Sequence, residues 1–264
     1  MLDPRVHPAS LSQQDLETLR FFGVDAVVLV SDATVHPAQP EALFAHFEHL
    51  LGVEVPRFER AGFTARVALG VHPAVVPRRG LSHVLETLPT YLKGGKVAAL
   101  GLLGLAHGTE PEVEALLEQL SLAQTLGLPA LVTTPHRDRE AVTRRLLTVL
   151  KDAQVTPERI LIDGAVGRTV RTIRELGYWT GLTLHPEHLT AEKAVALVRS
   201  LGPERLVLDT ATGDGASDLL ALPRAVHLLE RAGLTRGVIG RVSHGNAAGL
   251  FGLSRLPRPH PTVF

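Results

Sequence analysis

Apolar positions along the chain fall into two alternating kinds of run. Short stretches rich in Val, Leu, Ile and Ala recur at Leu2–His7, Ala26–Ser31, Thr64–Gly70, Val97–Leu102, Ala130–Thr134, Ile160–Asp163, Trp179–Leu184 and Leu206–Thr210. Runs of that length predict strands. Between most of them lies a longer segment whose apolar residues return at helical spacing, with room for one helix. Ser12 is placed to cap a helix carrying Leu16, Leu19 and Phe22, and Gly23 stops it. Thr109-Glu110-Pro111-Glu112 sets a cap, acids and a proline before the apolar face of Val113, Leu116, Leu117 and Leu120. Thr156-Pro157-Glu158 and Gly202-Pro203-Glu204 lead into the strands that follow them. Eight strands alternating with helices predict an α/β chain closed into a (β/α)8 TIM barrel rather than an open sheet.

The 264 residues suit one domain of this kind, and no composition shift marks a second. We expect a barrel over residues 1–255 and a proline-rich tail over 256–264, where Pro257, Pro259 and Pro261 exclude a helix. Cysteine is absent, which excludes disulfides and thiolate metal sites. Lys+Arg and Asp+Glu are both 27, so the charge does not support a nucleic-acid partner. No apolar run approaches the roughly 20 residues that span a bilayer, so no membrane partner is expected. Met1-Leu2-Asp3-Pro4 lacks the basic start and apolar stretch of a signal peptide, and a cytoplasmic location is expected.

In such a barrel the chemistry sits at the C-terminal ends of the strands. Several segments there, or close by, form an ordered set. They are Asp3-Pro4-Arg5-Val6-His7, Gly70-Val71-His72-Pro73, Gly101-Leu102-Leu103-Gly104-Leu105 and Thr134-Pro135-His136-Arg137-Asp138. Gly177-Tyr178-Trp179-Thr180-Gly181 and Gly202-Pro203-Glu204-Arg205, running into Val207-Leu208-Asp209, complete it. Through this set the chain resembles the TatD-related metal-dependent hydrolases of the amidohydrolase superfamily, above all a branch that opens Asp-Pro-His-x-His. The resemblance implies one or two divalent cations at the barrel mouth. Their ligands would be His-x-His on strand one, Glu on strand four, His on strands five and six, and Asp on strand eight. Such cations activate a water and neutralise a phosphate or acyl oxygen.

Carried over residue by residue, the resemblance leaves His7 and Asp209 as metal ligands. Arg5, Leu102, Thr133 and Gly164 stand where the others are expected. Arginine has no acceptor lone pair, so it cannot ligate. A binuclear centre is therefore not expected, and one divalent cation, Zn or Mn, is the most that the set supports. His7, His72, His136, His185 and Asp209 all fall near strand ends, and three of them converging would hold one ion with an open position. The alternative is that each histidine makes ordinary hydrogen bonds in a polar rim.

Single residues keep two readings each. His72 either fixes the loop after strand three or touches substrate, and His136 either anchors its loop or serves the reaction. Asp209 is a metal ligand or general base, or else pairs with Arg5, directly or through water. Thr212-Gly213-Asp214-Gly215-Ala216 either cradles a phosphate or is an ordinary turn. His36, His46, His49, His83, His188 and His227 are expected at the surface, His107 near the mouth, and Trp179 in barrel packing.

Three functional readings follow. In the first, a TatD-like hydrolase with a degenerate, mononuclear site acts on a phosphoester or related bond. Asp209, His7 and His72 are then catalytic, while Arg5, His136 and His185 bind the anionic substrate. In the second, the same barrel binds a small anionic metabolite without catalysis. Metal-free acid–base work by a His/Asp pair is a third possibility.

Overall fold

The computed structural model describes residues 1–31, 40–77, 79–135 and 138–253. Eight parallel strands pair in chain order: β1 (Leu2–Val6), β2 (Ala26–Val30), β3 (Thr64–Leu69), β4 (Val97–Gly104), β5 (Ala130–Thr133), β6 (Ile160–Asp163), β7 (Trp179–Thr183) and β8 (Leu206–Asp209). Every expected strand is present. All but one end within a residue of expectation, and β4 runs two residues further, to Gly104.

Helices cover the outside: α1 (Gln13–Phe21), α2 (Pro40–His49), α3 (Val55–Arg60), α4 (Leu81–Leu92), α5 (Glu110–Leu126), α6 (Arg139–Asp152), α7 (Gly167–Glu175), α8 (Ala191–Leu201) and α9 (Ala221–Arg231). Short α10 (Arg236–Gly240) and α11 (Asn246–Leu250) follow, flanking a π-helical turn over Arg241–Gly245. Ser12 caps α1 through a reciprocal box with Asp15, and Leu16 and Leu19 are buried beneath it. Phe22 departs from expectation: it lies past the last helical turn and is exposed. Glu112, in the first turn of α5, accepts hydrogen bonds from the N–H groups of Ala106, His107 and Gly108. It thereby pins the loop leaving β4.

Alternation along the strands separates two apolar layers. Leu2, Val28, Ala68, Leu131, Leu161 and Val207 pack together inside the ring. Leu29, Leu69, Val132, Ile162, Leu182 and Leu208 pack outward, against the helices. Trp179 packs on the inner cluster, as expected, and its indole N–H donates to Glu158 O. Below, Ala247, Ala248, Leu250 and Phe251 join the inner cluster. Asn246 Nδ2 holds this plug by donating to Pro203 O and Leu206 O, 2.7 Å from each.

The ring meets itself between β1 and β8. The His7 amide donates to Thr212 O at 2.8 Å. Asp3 accepts from the Thr210 amide and hydroxyl. The ladder of β1 slips between Asp3 and Val6, so that three steps on β1 match two on β2. This bulge resets the alternation. Leu2 faces the lumen and Val6 the helices, so Arg5 and His7 turn inward at the mouth.

No helix among the described residues is long and apolar enough to cross a membrane. The expected tail over 256–264 lies outside the described residues.

Candidate functional site

Two carboxyl groups end apolar strand runs on the lumen side. Asp163 follows Ile160-Leu161-Ile162 on β6, and Asp209 follows Leu206-Val207-Leu208 on β8. Both are completely buried. Gly181 on β7 lies between them: a Cβ there would fall 2.7 Å from Asp163 Cβ and 2.9 Å from Asp209 Oδ2. Only a residue without a side chain lets the two groups come this near.

Arg5 answers them from β1. Its Nη1 donates to Asp163 Oδ2 at 3.2 Å, and both side chains are removed from solvent. The sequence points to Asp209 as the partner of Arg5, but the direct bond goes to Asp163. The reason is positional, since the bulge aims the guanidinium across the lumen at β6. Thr133 stands by Asp163, and Thr183 by Asp209. Even so, Asp163 Oδ1, both Asp209 oxygens and Arg5 Nε meet no well-formed hydrogen bond among the described residues.

Burial pushes the Asp163 carboxyl above its ordinary range, against the opposing charge of Arg5. Asp209 is pushed well above that range by burial first and by the charge of Asp163 second, with Arg5 opposing. Asp3, also buried, is pushed up to about 6, although its bonds to Thr210 and to the Arg5 amide act the other way.

The other expected residues fall into place unequally. His7 is buried at the mouth, close enough to Asp163 to favour its ionised form. His72 is half-buried, and its Nδ1 accepts from the Ala74 amide at 3.2 Å, capping the turn Pro73–Val75. His185 Nδ1 accepts from the Glu187 amide, and its Nε2 lies 3.1 Å from Asp214 O. Both of its ring nitrogens are thus committed to backbone. His136 lies outside the described residues. His188, expected in solvent, is half-buried against the His185 ring at 5.3 Å. In the loop after β8, the Gly213 amide donates to Ser217 Oγ and the Asp214 amide to Ala211 O. These amides are spent within the loop, and α9 begins only at Ala221, which is how an ordinary turn behaves.

Sequence reasoning missed two residues. Asp163 was passed over for its neighbour Gly164, although it ends an apolar run just as Asp209 does. Gly164 itself has no room for a side chain: at φ 66 its Cβ would lie 2.4 Å from Thr134 Oγ1. Arg139, at the start of α6, is half-buried beside the mouth. Burial lowers its pKa and the nearby Arg5 lowers it further. Its Nε donates to Pro135 O at 2.8 Å, its Nη1 reaches Glu187 O, and Nη2 approaches His188. No pattern in the sequence separates this arginine from its neighbours.

The donor set can be tested for a metal. Among the described residues no three His, Cys, Asp or Glu side chains gather closely enough to hold an ion. Leu102 is fully buried in the inner apolar cluster and adds no donor. The guanidinium of Arg5 already occupies Asp163. The described residues do not fit a metal centre.

Comparison with known proteins places the scaffold. A family model described as TatD related DNase matches residues 8–213. The chain is 29% identical over 254 residues to an uncharacterized metal-dependent hydrolase of Methanocaldococcus jannaschii, covering 96% of this chain and all of that protein. A crystal structure of a TatD-like protein from Archaeoglobus fulgidus superimposes with a TM-score of 0.80 at 25% identity, over 96% of this chain and 100% of that one. A phosphotriesterase homology protein from Escherichia coli, solved with phosphate in its active site, shares the fold with a TM-score of 0.72 at 14% identity, over 95% and 97% of the two chains. The family relationship implies divalent-metal use. With a family model covering most of its length and a barrel to match, this chain belongs to the TatD family of metal-dependent hydrolases.

Proposed function

We propose that this chain is a TatD-family barrel with a degenerate metal site, whose mouth recognises a small anionic ligand of the phosphoester class. The observation that carries the reading is the pair of guanidiniums at the mouth. Arg5 is bonded to Asp163, while Arg139 bonds only neutral acceptors among the described residues. Arg139 therefore makes no direct ion pair among the described residues, although Asp163 and Glu187 lie near enough to favour its charge, and its planar guanidinium is the shape that suits phosphate or carboxylate. The upward shift at Asp209 favours its neutral form, which presents a donor rather than a repelling charge.

The orphaned oxygens of Asp163 and Asp209 favour a second reading. In it, one divalent cation, Zn or Mn, is retained near His7 and Asp209, and the barrel still hydrolyses a phosphoester. Elemental analysis of purified protein, with hydrolysis of bis(4-nitrophenyl) phosphate in the presence of Mn or Zn, separates the two. The first reading expects little retained metal, no metal-stimulated hydrolysis, and a rise in Tm with inorganic phosphate or a nucleoside monophosphate. Metal-stimulated turnover that is lost in Asp209→Ala would establish the second.

A further inference from the structure

The lumen ends in two buried carboxyl groups, Asp163 and Asp209, separated only by the bare backbone of Gly181. Carboxyl groups taken out of water need a nearby positive charge, a proton or hydrogen-bond donors. Among the described residues, the cation bonded to Asp163 is Arg5, whose side chain is 3% exposed and whose charge also acts on Asp209. It reaches them because the β1 bulge turns it inward. We infer that the Arg5 guanidinium is the resident counter-cation of this barrel, neutralising Asp163 of the buried carboxyl pair and excluding a divalent ion from the site. This deepens the proposed function, because it rests on the same degenerate site and names what replaced the metal.

The physical case has two parts. A guanidinium carries five donors and no lone pair, so it can neutralise carboxylates but cannot share in a ligand cage. A dication brought to Asp163 or Asp209 would also meet an immobile positive charge in a poorly screened interior, and would have to break a desolvated bond. Replacing Arg5 by histidine reverses both terms. It removes the charge, and it supplies a neutral nitrogen ligand beside His7.

The test uses four full-length proteins: the wild type, Arg5→His, Arg5→Met and the double variant Arg5→Met/Asp163→Asn. Each is stripped with EDTA, titrated with ZnCl2, and read for bound zinc and Tm. The wild type should bind only substoichiometric zinc, with a Tm that neither EDTA nor zinc changes. Arg5→Met should lower Tm by roughly 10 °C, and adding Asp163→Asn should recover most of that loss. Arg5→His should take up about one zinc per chain and gain Tm as it does so.

A wild type that loses Tm on chelation would overturn the inference. So would an Arg5→Met variant as stable as the wild type, or a folded Arg5→His variant that takes up no zinc. If Arg5→His does not fold, the wild-type titration and the double variant still decide. Inorganic phosphate added to the wild type tests ligand recognition separately. Loss of that response alone would count against the proposed ligand class, and chelation sensitivity alone against the role of Arg5.

Discussion

Asp163 on β6 and Asp209 on β8 approach each other over a single backbone position, Gly181, where a Cβ would lie 2.7 Å from Asp163 Cβ and 2.9 Å from Asp209 Oδ2. The two groups cannot both ionise cheaply, and the charge of Asp163 is the second largest cause of the upward shift at Asp209. The end of β6 thereby holds an ion pair with Arg5, while the carboxyl at the end of β8 is shifted towards its neutral form.

Gly181→Ala should therefore destabilise the barrel by about 1–3 kcal/mol, because the methyl group meets backbone and a carboxyl rather than a movable chain end. Gly95→Ala is a suitable control, having nothing within 4 Å of its would-be Cβ. Urea denaturation of both variants reads the difference. Equal midpoints would contradict the crowding.

Asp3 gives a pH dependence with a definite sign. Its folded-state pKa of about 6 lies above the ordinary carboxyl value of 3.8, so the folded state binds a proton more readily than the unfolded chain. That contribution is fully present below about pH 4 and is lost as pH rises through about 6. Asp163 and Asp209 are shifted in the same direction. Between pH 4 and pH 7, Asp3→Asn should gain about 2 kcal/mol in stability relative to the wild type. Denaturant midpoints at both pH values check this, and parallel curves for the two proteins would refute it.

Leu102 offers a test from the opposite side of the lumen. It is wholly buried in the inner apolar cluster with Ala68 and Leu131. Leu102→Glu places a carboxyl there without a described partner and should cost at least about 3 kcal/mol. If zinc restored the lost stability, a metal site would be latent in the scaffold. The Arg5 pairing predicts no such rescue while Arg5 remains.

Arg139 separates binding from folding. Its guanidinium bonds carbonyl oxygens at the rim and is only half-buried, so Arg139→Ala should change Tm little. Loss of a charge-assisted fork should weaken binding of inorganic phosphate about tenfold, as measured by calorimetry. Undiminished affinity would remove Arg139 from the site.

The barrel was legible because each strand announces itself as a short apolar run, and strand ends were placed to within a residue almost throughout. Phe22 was misjudged because helical spacing continues past the point where the chain leaves the helix. The site was legible only in part. Arg5, His7 and Asp209 stand at strand ends and could be named, yet Arg5 met Asp163 instead of Asp209. Strand order alone does not say how far a long side chain reaches across a lumen. Arg139 was invisible because it lies 134 positions from Arg5 in sequence, and only closure of the ring brings the two charges together. His72 and His185 were named for their positions, and the backbone amides that engage them are set by local turns.

The irregular step in β1 reaches furthest. A regular strand beginning with Leu2 inward would have sent Arg5 and His7 toward the helices and Val6 into the cavity. One unit of slack in the main chain exchanges that oily opening for a polar one without altering a single amino acid. In this chain the slipped step decides which side chains line the opening, something that a comparison of residue identities alone would overlook.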